Sequence, residues 1–133
     1  MEIDRKFEDL VGKTLVRIEV DRLEFENGDE IVFLTECGKK YRLFHDQDVN
    51  EQVDIDDICG NLGDLLGSPI LVAEEVSNSS GTPKNDDVSY TWTFYKIDTA
   101  RGGVTIRWYG CSNGCYSEAV DFVEIVDDDT TRH

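Results

Sequence analysis

Two runs of alternating side chains, residues 90–96 (YTWTFYK) and 104–109 (VTIRWY), stand on either side of Thr99-Ala100-Arg101-Gly102-Gly103. A chain with this pattern has few choices. Alternation is the period of a strand, β-branched and aromatic residues suit a pleated surface, and the paired glycines accept a reversal. The spacing predicts a long antiparallel hairpin with one heavily aromatic face. Aromatic alternation is most often core packing, so Trp92, Phe94 and Trp108 are expected inside. Tyr95, Lys96, Arg107, Tyr109, Asn113 and Tyr116 are expected to be exposed.

Charge sets this stretch apart. Residues 90–117 hold seven of the 13 aromatic residues and carry Lys96, Arg101 and Arg107 against Asp98, a local charge of +2 in a chain of net −16. The rest of the molecule repels anions. With a pI near 4.3, direct binding to nucleic acid or to an anionic membrane is not expected, because phosphate contacts need clustered Lys and Arg. An acidic surface serves solubility or imitates a polyanion. At 133 residues and 39% hydrophobic content, the chain reads as a single globular domain over residues 1–133. It contains no apolar run of membrane-spanning length and opens without a signal-peptide pattern, so a cytoplasmic location is expected. In that compartment Cys37, Cys59, Cys111 and Cys115 are expected as free thiols, and the CSNGC spacing is too loose for a metal signature.

In chain order, residues 3–11 place Ile3, Phe7, Leu10 and Val11 at helical spacing ahead of Gly12, which predicts a short amphipathic helix. Thr14, Val16, Ile18 and Val20 are expected to share one strand face. Leu23 and Phe25 alternate with acids before Asn27-Gly28, the strongest local hairpin signal, and Cys37-Gly38-Lys39-Lys40 makes a second turn. Residues 45–58 are rich in aspartate with a modest apolar pattern at Val53, Ile55 and Ile58. A helical turn near Leu62, a strand over residues 70–76 and a solvent-exposed loop over residues 77–87 follow. A last strand spans residues 116–126 with Val120 and Phe122 inward, before a polar tail. The fold class is α+β: a mainly antiparallel β-sheet, curved or a partial barrel, with one or two short helices.

Two groups of residues could carry chemistry. His45, Asp46, Asp48 and Glu51 join an imidazole to carboxylates, as a divalent-cation site or an acid–base pair requires. In a chain with 29 acids a solvated turn is the commoner outcome, so neither a catalytic nor a metal site is assigned. The late hairpin offers the ring faces of Trp92, Tyr95, Trp108, Tyr109 and Tyr116, with Lys96 and Arg107 for an anion and Ser112 and Asn113 for directional hydrogen bonds. The candidate ligand site is Tyr95, Lys96, Arg107, Tyr109, Ser112, Asn113 and Tyr116. No nucleotide-binding, serine-hydrolase or zinc-protease motif is present.

Across nearly its whole length the chain resembles a small, uncharacterised domain family of bacteria and their phages. The likeness rests on GKTL at residues 12–15, HDQDVNE at 45–51, WTFYK at 92–96 and RWYGCSNGCYSE at 107–118. In that family two cysteines commonly follow the QD of the second motif, where Val49 and Asn50 stand here, and an aromatic residue often occupies the place of Cys115. The first departure weakens a thiol or metal role at that position. The resemblance implies a phage context and no established activity.

The expectation from sequence is a non-enzymatic phage or prophage protein, without a cofactor, that sequesters a small anionic ligand such as a nucleotide-derived immune signal. Two other classes stand beside it: an acidic DNA mimic or inhibitor of a host defence protein, and a metal-assisted hydrolase centred on His45, Asp48 and Glu51. Self-association into a homo-oligomer is also open, because sheet edges need cover.

Overall fold

The computed structural model describes residues 1–22, 28–45, 51–78, 89–112 and 118–126, with residue 51 described in its backbone alone. These residues form nine strands and two short 3-10 turns. Strands β2 (Leu15–Arg22) and β3 (Asp29–Thr35) pair antiparallel, with Gly28 at φ 67 re-entering the sheet. Leu23, Phe25 and Asn27 lie outside the described residues. Strand β4 (Lys40–Phe44) returns along β3 through a turn that has Gly38 at φ 91. The expectation that Val16 shares a face with Ile18 and Val20 is corrected. A bulge between Leu15 and Arg17 shifts the pleat by one residue, so Leu15 is buried while Val16 is 50% exposed.

Two segments take a form their composition hides. Residues 3–11 are not a helix. They split into strand β1 (Glu2–Asp4) and a 3-10 turn (Phe7–Leu10), whose three-residue period puts Phe7 and Leu10 into the core together. The aspartate-rich stretch is β5 (Glu51–Cys59), with Val53 and Ile55 buried and Asp54 and Asp57 turned the other way. Asp is disfavoured in strands. Here the alternating apolar partners outweigh that preference. The second 3-10 turn (Leu62–Leu65) forms where expected, and the Asn61 side chain accepts from the Gly63 amide.

Strands β6 (Ile70–Asn78), β7 (Ser89–Thr99) and β8 (Gly102–Ser112) complete one antiparallel sheet in the order β5-β8-β7-β6. The late hairpin therefore forms as its alternation requires. Its connection is only Ala100-Arg101, with Thr99 opposite Gly102, and that count puts Trp92 opposite Tyr109 rather than Trp108. The final strand β9 (Asp121–Ile125) crosses to the other sheet, which has the order β1-β9-β4-β3-β2. Both sheets are open, and one core cluster draws on both.

Phe7 is the hub of that core. Its ring lies 4.7 Å from Tyr95 of β7, 5.3 Å from Phe122 of β9 and 6.3 Å from Phe33 of β3, and the last two contacts are edge-on. A second tie between the sheets is polar. Asp29 is buried at the start of β3 and accepts the Ile55 amide of β5 at 2.9 Å, while Arg22 donates to the Ile55 carbonyl. Two side chains thus stand in for a neighbouring strand and protect this edge from foreign pairing.

Burial raises the Asp29 carboxyl above its usual 3.8, against the lowering effects of the Ile55 amide and Arg22. The native state then holds this proton more tightly than the unfolded chain, so the residue's contribution to stability falls as pH rises above 3.8. Asp29→Asn removes the titration and keeps an acceptor for Ile55. Urea denaturation should show the variant gaining on the wild type between acidic and neutral pH. A stability difference that ignores pH would contradict this account.

Candidate functional site

Register and burial define two faces on the four-stranded sheet. Inward go Thr93, Tyr95 and Ile97 of β7 with Val104, Ile106 and Trp108 of β8, all buried. Outward go Tyr90, Trp92, Phe94 and Lys96 of β7 with Arg107 and Tyr109 of β8. The alternation was read correctly and its phase on β7 was not. Trp92 and Phe94, expected inside, are partly exposed, while Tyr95 and Tyr109, expected outside, are buried. A two-residue connection places odd-numbered positions of β8 opposite even-numbered positions of β7, and a shift of one residue exchanges the faces.

Across this outer face the side chains lie in rows. One row runs Asp54, Tyr109, Trp92, Asn78, and the next runs Asp57, Arg107, Phe94, Val76. Tyr109 is 8% exposed and forms the floor. Trp92 tilts against it with centroids 4.5 Å apart, and Tyr90 stacks at 6.3 Å. The Arg107 guanidinium lies 5.4 Å from the Trp92 ring centre, a cation–π geometry. It is also held by a neighbour. Nε and Nη2 reach Asp56 Oδ2 at 2.7 and 2.6 Å, with Asp57 at 4.0 Å. Lys96 is exposed and has Asp98 at 3.8 Å. Among the described residues, Asp54, Asp56, Asp57, Glu74 and Asp98 outnumber the two cations of this face. The platform is therefore acidic, not cationic.

The remaining candidates separate. The Tyr95 hydroxyl donates to Glu75 at 3.0 Å, and burial, reinforced by that carboxylate, pushes the phenol far above its ordinary range. It is a core residue. Ser112 and Thr91 donate to the two oxygens of Glu118 at 2.6 and 2.9 Å. Glu118 thus clasps the open end of the sheet. Gly110 makes room for it: a Cβ there would stand 2.7 Å from the Glu118 carbonyl oxygen. Asn113, Cys115 and Tyr116 lie outside the described residues. So do Asp46, Asp48 and the side chain of Glu51, while His45 is buried with Nδ1 2.6 Å from the Ala119 carbonyl.

Reading the sequence for rings and cations overlooked Asp54, Asp56 and Glu118. The repeat Val53-Asp54-Ile55-Asp56 was the available signal for the first two. The described Cys37, Cys59 and Cys111 are free thiols, and no group of three or more metal-binding side chains converges among the described residues. No described helix is long and apolar enough to cross a membrane. The family described as Domain of unknown function (DUF7448) matches residues 8–122. No curated protein and no solved structure matches the chain.

Two predictions follow from these contacts. Gly110→Ala should push Glu118 off Thr91 and Ser112 and lower unfolding stability by about 1–3 kcal/mol, the cost of overpacking. A melting temperature equal to wild type would show that the clasp is not under this constraint. The Cys37 thiol is acidified, first by its hydrogen bond with Thr35, whereas the Asp57 carboxylate raises the Cys59 thiol. Both are exposed. Iodoacetamide labelling followed by mass spectrometry near neutral pH should modify Cys37 before Cys59, and the reverse order would refute the assignment.

Proposed function

The chain belongs to the DUF7448 family, and we propose that it is a non-enzymatic binding protein whose recognition surface is the outer face of β5, β8, β7 and β6. The target is a cationic protein surface. One observation carries this reading: the outer face displays partly exposed Tyr90, Trp92 and Phe94 flanked by the carboxylates Asp54 and Asp57 on β5, Glu74 on β6 and Asp98 on β7, while the interior is closed by its own aromatic set. Rings at the centre and charges at the rim are the anatomy of a protein interface. An overall charge of −16 steers a basic partner and repels an acidic one.

Capture of a small anion on this face fits less well, because Arg107 already has Asp56 as its anion and Tyr95 is sealed. The phage context implied by the sequence motifs makes a basic host protein, such as one that handles nucleic acid or serves defence, the first partner class to test.

Immobilised wild-type protein should retain a basic partner from a host lysate and release it at roughly 0.5 M salt, where screening is nearly complete. Trp92→Ser with Phe94→Ser, checked for folding by circular dichroism, should weaken retention by about tenfold or more, as loss of central rings does. Retention unaffected by both salt and ring removal would reject the reading. Binding of nucleotides that Arg107→Gln abolishes would replace it with small-anion capture.

A further inference from the structure

The five-stranded sheet has an outer face of its own, and it differs in kind. Register places Arg17, Leu34 and Lys40 side by side across β2, β3 and β4, with Glu19, Val32 and Arg42 in the adjacent row. Arg17, Glu19, Val32, Leu34 and Lys40 line an open groove of about 100 Å3. Its floor is Val32 and Leu34, one wall carries Arg17 and Glu19, and the other carries Lys40. Arg42 is already taken up, by Glu2 at 3.0 Å and Glu30 at 2.9 Å, and lies over the Phe44 ring. Arg17 has Glu19 at 2.6 Å, yet 68% of the Arg17 side chain is exposed, and exposed pairs of this kind are weak. Lys40 has no ion pair among the described residues.

We propose that this groove binds a small carboxylate with a short apolar chain. The chain would lie on Val32 and Leu34, and the carboxylate would sit above Leu34 between Arg17 and Lys40. Strands two apart in a sheet are separated by roughly 9–10 Å, a gap that two long basic side chains close from either side. Glu19 meets the Arg17 guanidinium at Nη2, and a guanidinium has five donors in all, so others can face an oxygen across the groove. Size sets the ligand class: a cavity of about 150 Å3 holds the six carbons of benzene, so a groove of about 100 Å3 takes an apolar chain of roughly four carbons. Charge sets the sign. An amine of the same shape would meet two cations against one carboxylate. The site is independent of the aromatic face, which lies on the other sheet.

The test is an NMR titration of the wild-type chain with isovalerate, acetate and isovaleramide. Isovalerate should shift the Val32 and Leu34 signals saturably with a millimolar Kd, the range open to a ligand this small. Acetate lacks the chain and isovaleramide the charge, and each should bind at least about tenfold more weakly because both halves of the groove are needed. Lys40→Gln should weaken isovalerate about fivefold or more for the same reason, while Lys39→Gln, an equal charge change on the neighbouring residue, should not. Shifts that never saturate, equal binding of acetate, or indifference to Lys40→Gln would each overturn the proposal.

Discussion

The molecule turns on a count of two residues. Ala100 and Arg101 are all that separates the paired ends of β7 and β8, and this number decides which rings enter the core and which face solvent. The turn is fastened accordingly. The Thr99 hydroxyl accepts the Arg101 amide at 3.2 Å and donates to the Asp64 carbonyl at 2.6 Å, while the Arg101 guanidinium reaches the Leu66 carbonyl at 3.1 Å. The hairpin's tip is thereby docked on the second 3-10 turn. A slip of one residue would expose Tyr95 and Ile97 and bury Tyr90 and Trp92, so the core and the proposed recognition surface rest on the same register.

How far this could be read from the residues varied with how local the cause was. The hairpins were legible because Gly28 and Gly38, both at positive φ, and the alternation of residues 90–109 act over a few positions. The phase of β7 was not, since the two-residue connection lies within a five-residue run of turn-forming types and nothing local selects its ends. Residues 3–11 looked helical because Ile3, Phe7 and Leu10 fit that period, but β9 captures Ile3 from the far end of the chain. The acidic strand β5 was hidden by composition: its propensity is poor, and only packing against β8 makes it a strand. For the candidate site, Arg107 and Tyr109 were found as chemical types, but the partner that neutralises the arginine lies 51 residues away.

The excess of acid shapes how the few cations are used. Arg5 pairs with Glu124, Arg22 with Asp29, Arg42 with Glu2 and Glu30, and Arg107 with Asp56. Each of these arginines ties one element to another. Planar guanidinium groups suit such positions because they hold several acceptors in fixed geometry. Lysine is used differently: Lys39, Lys40 and Lys96 stay exposed. Structure has thus claimed much of the arginine, and what remains outside is dominated by carboxylate.

The placement of β9 has a consequence for how the protein comes into being. Strand β1 has β9 as its sole neighbour in the sheet, and the Met1 amine meets the Val126 carbonyl across a sequence separation of 125 residues. Until residues 121–125 arrive, β4 presents a bare edge and Phe7 lacks the Phe122 ring. Closure of such distant contacts is slow, and an open apolar edge invites aggregation. Docking of residues 121–125 between β1 and β4 is the step that covers this edge and seats Phe122 against Phe7.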